Sequence, residues 1–264
     1  MTKYLFTFTA GHTGTTYLAD LFKANFPEFD TYHELFTTDS WGINTPEISD
    51  IHEFNNYGNT RKVKDFWHRK FSFVKDSKAP WYIETSHVNG KAGLIENIWN
   101  LRTETHVVHL TRASSKIMQS FHNRFDFMNI GNAWMWYLDW DYSRNLVNPK
   151  PFLEQFKGME IHGWRLWYII EMEARAAHYK KHYTNIIWHT IDINDLNDKK
   201  KVQSFFKELG LKKHLKDIIL PKNENKSEIG MPLGDDVKEK ILNFLGDYAK
   251  GTFGNTKQFR LNTE

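Results

Sequence analysis

Tyr4-Leu5-Phe6-Thr7-Phe8-Thr9-Ala10-Gly11-His12-Thr13-Gly14-Thr15-Thr16-Tyr17-Leu18 is the stretch whose reading sets the fold. Tyr4 to Thr9 is short, aromatic and closed by Ala10-Gly11, the pattern of a buried strand ending in a turn. From Thr15 onward Tyr17, Leu18, Leu21 and Phe22 recur at helical spacing, and Pro27 lies just past the expected helix end. The order is strand, glycine loop, helix.

Further along, Trp81 to Thr85, His106 to Thr111 and Asn185 to Ile191 read as strands. Gly163 to Tyr183 is the clearest long helix, Lys199 to Leu209 a second that stops at Gly210, and Asp235 to Tyr248 a third with aspartate at its start. Strands alternating with helices predict an α/β fold with a central parallel sheet and helices on both faces. No repeat and no Pro- or Ser-rich linker divides the 264 residues. One three-layer α/β/α domain is therefore expected over 1–264, with 37–78 and 123–158 as insertions around a site and a loose tail after Gly251.

Composition excludes more than it assigns. With 40% hydrophobic and 25% charged residues the chain has an ordinary globular balance. A net charge of +3, from scattered lysines, gives no continuous basic stripe, so no nucleic-acid partner is expected. Without cysteine there are no disulfides, thiolate metal sites or cysteine nucleophiles, and secretion gains no support. The first residues do not read as a leader, and no segment nears the ~20 apolar residues of a membrane span. A cytoplasmic location with no membrane contact is expected. His33, His68, His87, His106, His109 and His122 show no spacing such as His-Glu-x-x-His, so no metal is expected.

Between strand and helix, Gly11 and Gly14 let backbone N–H groups approach an anion, and the helix N-terminus adds its dipole. Thr13, Thr15 and Thr16 offer hydroxyl donors, and His12 stands where a cationic side chain reaches a transferred group. The Walker A pattern is broken because Thr15 follows Gly14 where lysine is required. A nucleoside-triphosphate kinase or phosphotransferase loses ground accordingly. A plain turn is the blander alternative.

Gly11-His12-Thr13-Gly14-Thr15-Thr16-Tyr17-Leu18 resembles the P-loop-like 5′-phosphosulfate loop of sulfotransferases that use 3′-phosphoadenosine 5′-phosphosulfate (PAPS) as donor. Val107-Val108-His109-Leu110-Thr111-Arg112, with Ser120 eight residues on, is similar to the family's 3′-phosphate motif. Arg112 at a strand's carboxyl end and Ser120 on the next helix are spaced so that both can converge on one phosphate, the guanidinium bidentately. Trp164, Trp167, Glu171, Glu173 and Ala174, then Ile187 to Leu196, look like the family's long helix, strand and Asp-Leu corner. The resemblance implies transfer of a sulfonyl group from PAPS, without metal, to a hydroxyl or amine of a small-molecule or carbohydrate acceptor.

For the base it implies Glu34, since branches of the family carry a glutamate after the first helix, or Glu84 or His87, since another branch carries a histidine after the strand at Trp81. Histidine works near neutral pH without tuning, and glutamate benefits from burial; the sequence leaves both open. The family has Lys or Arg where His12 stands, so Arg61, Lys62 or Lys64 is a conceivable surrogate. A basic loop near the C-terminus is also implied, with Lys222, Lys226 and Ser227 as candidates for the 3′-phosphate. Trp134, Trp136, Tyr137, Trp140 and Tyr142, with Asp139 and Asp141, form the densest aromatic and acidic cluster, suited to an acceptor or simply to core. Apart from a kinase, the competing class is a nucleotide-binding scaffold that kept the fold without turnover.

Overall fold

The computed structural model describes residues 2–35, 44–128, 136–222 and 232–250. Among them, β1 (Lys3–Phe8), β2 (Asp30–His33), β3 (Trp81–Thr85), β4 (Thr105–Thr111) and β5 (Ile187–Asp192) form an all-parallel sheet in the order β2-β3-β1-β4-β5. The central strands are buried almost throughout. That is why they read as unbroken apolar runs, as strands covered on both faces do. The edge strand β2 went unread because Asp30-Thr31-Tyr32-His33 is only half-buried and needs no such run.

Successive β1 side chains point to opposite faces and nucleate two cores. Leu5 packs with Leu18, Leu21 and Phe22 of α1 (Thr15–Asn25) and with Phe205 and Phe206 of α8 (Lys199–Glu208). Phe6 and Phe8 face the other way, towards α2 (Ile48–Tyr57), α3 (Arg61–Lys75), α4 (Leu94–Asn97), α5 (Ser114–Asn123), α6 (Lys150–Gln155), α7 (Glu160–His182) and α9 (Asp235–Ala249). Helices therefore cover both faces of the sheet. No helix among the described residues is long and apolar enough to cross a membrane.

The described part of the span 37–78, expected as an insertion around a site, contains two helices that pack into the core. Val63, Phe66, Trp67, Lys70, Phe71 and Val74 give α3 a buried stripe, which its solvated lysines and arginines masked in the sequence. In 123–158, Glu171 of α7 accepts hydrogen bonds from the Leu146 and Val147 amides and pairs with Arg175 at 2.6 Å. Arg175 reaches on to Asn55 and Asn145, so this span is fastened to the core.

Neighbouring strands β1 and β4 send their chains to opposite faces, α1 to one and α5 to the other. A crevice opens where such connections part, at the carboxyl ends of the strands.

Candidate functional site

A cavity of about 390 Å³ occupies that crevice. Its wall takes Gly11, His12, Gly14, Thr15 and Thr16 from the loop after β1, Glu34 from the end of β2, His87 from the end of β3, and Arg112 and Ser120 from β4 and α5. Nine residues singled out in the sequence thus share one wall.

The loop is shaped for an anion. Gly11, His12 and Gly14 all have positive φ, at 90°, 53° and 94°. Gly14 holds a left-handed φ that a side chain strains, and a Cβ there would push against the Ile193 side chain. No side chain caps α1, and the Thr15, Thr16 and Tyr17 amides have no hydrogen-bond partner among the described residues. Such free first-turn N–H groups, at the positive end of the helix dipole, bind oxyanions. Thr16 Oγ1 lies 3.0 Å from His33 Nε2. Thr13 departs from expectation: its hydroxyl bonds Thr9 at 2.5 Å and is buried away from the cavity.

Arg112 extends from the end of β4 and donates to the His12 carbonyl at 2.8 Å, tying the strand-end arginine to the loop. Burial draws its guanidinium below the ordinary value, with Asp192 opposing. Ser120 Oγ lies 2.9 Å from His12 Nδ1, and Asp126 Oδ2 lies 2.7 Å from His12 Nε2. That carboxylate contact is close but off the N–H line, so Oδ2 is a buried atom without an aligned hydrogen bond.

Glu34 and His87, read from the sequence as alternatives, form one unit. Glu34 Oε1 accepts from the His87 amide at 3.1 Å and lies 2.5 Å from His87 Nδ1. Burial pushes the Glu34 carboxyl up, but His87 and His33 outweigh it and hold it well below the usual carboxylate range. With Nδ1–H given to Glu34, His87 is left with Nε2 as its basic atom, since the bond at one ring nitrogen sets the tautomer at the other. Burial also keeps His87 below its ordinary value, with Glu34 opposing, and Lys91 and His12 adding to the drop. His87 is thereby a neutral, oriented base near pH 7.

Glu84 is not brought to the cavity. It is fully buried, accepting from Lys70 at 2.8 and 2.9 Å, from Tyr82 at 2.7 Å and from Asn89 at 2.8 Å. Every lone pair that would take a proton is engaged by a donor. Arg61 and Lys62 lie on α3 beside Asp65 and Asp50, outside the cavity, and Lys64 is absent from its wall too. Lys222 is exposed and does not line it; Lys226, Ser227 and Trp134 lie outside the described residues. From the aromatic cluster only Tyr137 reaches the wall, while Trp140 stacks on Trp164 at 5.5 Å and serves as packing.

Sequence reasoning missed Arg124 and Asp126. Arg124 is one helical turn beyond Ser120 and could have been read from that spacing. Asp126 could not, because positive φ at Phe125 and Phe127 turns the chain back over His12. Also missed was Lys91, fully buried against the Trp136 carbonyl and the rings of Tyr137 and Tyr168 at 5.1 and 5.4 Å. Burial pushes its ammonium down to about 7. Among the described residues no group of three or more His, Asp or Glu is placed to hold a metal ion. No protein-family model matches this chain, and no curated protein is significantly similar to it.

Proposed function

We propose that the chain is a PAPS-dependent sulfotransferase built as one three-layer α/β/α domain, with Gly11 to Thr16 as its P-loop-like 5′-phosphosulfate loop. The observation that carries this reading is the meeting of three groups in one cavity: the loop with its unpartnered amides, Arg112 with Ser120, and the Glu34–His87 pair. The donor set fits a nucleotide with anionic groups at both ends. Free N–H groups and His12 suit its 5′ end, and Arg112 with Ser120 suits its 3′-phosphate.

PAPS supplies an activated sulfonyl group whose bridging oxygen departs with the phosphate. The chain's own residues orient and move the proton. His87 Nε2 takes it from the acceptor's hydroxyl or amine as the new bond to sulfur forms, and Glu34 stabilises the imidazolium that results. The first-turn amides of α1 and the Arg112 guanidinium steady the negative charge that builds on the departing nucleotide. No residue here is asked to form a covalent intermediate.

Calorimetric titration with 3′-phosphoadenosine 5′-phosphate in EDTA tests the reading directly, on the intact protein and on Arg112→Ala, with ATP as competitor. Metal-free binding that ATP displaces poorly, and that Arg112→Ala weakens by about 10²-fold or more, is expected for loss of a bidentate phosphate contact. Equal preference for ATP, or no binding, sinks it in favour of a kinase or a scaffold.

A further inference from the structure

We propose that Ser120, His12 and Asp126 form a nucleophilic serine centre that cleaves small activated esters, an activity separate from sulfonyl transfer and independent of that reading. The geometry is that of nucleophile and base, with a carboxylate close to the far ring nitrogen but off its N–H line. Ser120 Oγ is 2.9 Å from His12 Nδ1, and Asp126 Oδ2 is 2.7 Å from His12 Nε2. A serine hydroxyl is inert until a base within hydrogen-bond reach takes its proton, and the base works best when a third group fixes its tautomer.

Here the usual ring positions are exchanged, with the carboxylate at Nε2 and the serine at Nδ1. Either nitrogen serves as base once the other keeps its proton. The Tyr137 hydroxyl is 3.5 Å from His12 Nε2. With the Asp126 carboxylate and the Tyr137 hydroxyl on the Nε2 side of the ring, the tautomer protonated there presents the Nδ1 lone pair to Ser120.

The imidazole is firmly placed. Arg112 grips the His12 carbonyl at 2.8 Å, Phe121 meets the ring edge-on at 4.8 Å, and His12 holds a left-handed φ of 53° that a non-glycine residue adopts only under constraint. All three members open on the same cavity as Arg112 and the free amides of α1. Those donors suit the oxyanion of an ester under attack.

The step balances. Ser120 Oγ bonds to the acyl carbon while His12 Nδ1 takes its proton, the bond to the leaving oxygen breaks with its electron pair, and His12 returns the proton to that oxygen. Water then repeats the sequence on the acyl-serine, releasing the acid and restoring Ser120.

Phenylmethanesulfonyl fluoride tests the centre without nucleotide or sulfonyl acceptor, so its outcome is independent of the transferase reading. The fluoride leaves as the serine oxygen bonds to sulfur, and the intact protein gains one adduct. Peptide mapping is expected to place it on Ser120. His12→Gln is expected to slow labelling by about 10²-fold, the lower end of what a positioned general base contributes, and Asp126→Asn by a smaller factor. Hydrolysis of p-nitrophenyl acetate should fall in parallel. Absence of the adduct on the intact protein, its appearance on other hydroxyls, or labelling unchanged in a folded His12→Gln overturns the proposal.

Discussion

The two ends of one sheet carry histidine–carboxylate clusters of similar composition and different availability. At the amino end, His106 Nε2 lies 2.9 Å from Glu104, His106 Nδ1 lies 2.8 Å from His189 Nε2, and the two rings stack at 5.1 Å. His189 Nδ1 in turn lies 3.8 Å from Glu208, so all four nitrogens face one another or a carboxylate. At the carboxyl end, His87 commits Nδ1 to Glu34 and keeps Nε2 for the cavity. Chemistry needs the uncommitted atom. The lesson extends to Glu84, whose carboxylate is fully occupied on the same sheet that exposes Glu34 to a working partner.

If the occupied carboxylate is structural, removing its counter-charge should cost stability and little else. Lys70→Met leaves the buried Glu84 carboxyl without its cation, and breaking such a pair from one side costs about 3–5 kcal/mol. Urea denaturation of the folded variant is expected to show that loss, with the affinity for 3′-phosphoadenosine 5′-phosphate retained. A variant of unchanged stability but abolished binding would place Glu84 back among the site residues.

His87→Gln should behave in the opposite way. Sulfonyl transfer is expected to fall by about 10²–10⁴-fold, the range of a positioned general base, with little change in denaturation midpoint. The pH dependence sharpens this. Because burial holds the His87 pKa below its ordinary value of 6.5, turnover should be flat above that value and decline only at lower pH, as the base becomes protonated. Glu34 raises the His87 pKa against burial, so Glu34→Gln should move the acidic limb to still lower pH while reducing the plateau. An acidic limb that stays in place, or moves up, breaks the dyad.

How much of this was legible depends on how local each feature is. β1, its glycine loop and α1 lie within some two dozen consecutive residues and announce themselves by apolar run, positive-φ glycine and helical spacing. Arg112 and Ser120 were readable only through the family resemblance, which local spacing, one strand end and the helix that follows, made physically sensible. The Glu34–His87 pairing was not, because it depends on the β2–β3 register that sets His33 opposite Thr85. Glu84 passed for a base because no local signal separates positions on a strand whose faces alternate residue by residue. It shares its face with Tyr82, under α3, where Lys70 meets it. Asp126 needed the back-turn at Phe125 and Phe127, which no periodicity encodes.

The amino-end cluster gives the smallest expected effect and the cleanest contrast. Burial lowers both histidines below their ordinary values: Glu104 and Lys3 act on His106 in opposing senses, and His106 and Glu208 do so on His189. The folded chain therefore binds fewer protons there than the unfolded chain. Its stability is complete above about pH 6.5 and is lost as pH falls from that unfolded value towards the lowered folded ones, by at most about 1.4 kcal/mol per pH unit for each proton. His189→Phe removes one titrating ring, and His106 loses the imidazole partner of its Nδ1. Urea midpoints measured at pH 7.5 and 5.5 should then differ less in the variant than in the parent, while the acidic limb of turnover, set at the other end of the sheet, stays where it was. If instead the variant keeps the parent's full pH slope, the closed cluster is not what destabilises the fold in acid, and the two ends differ in availability but not in their linkage to folding.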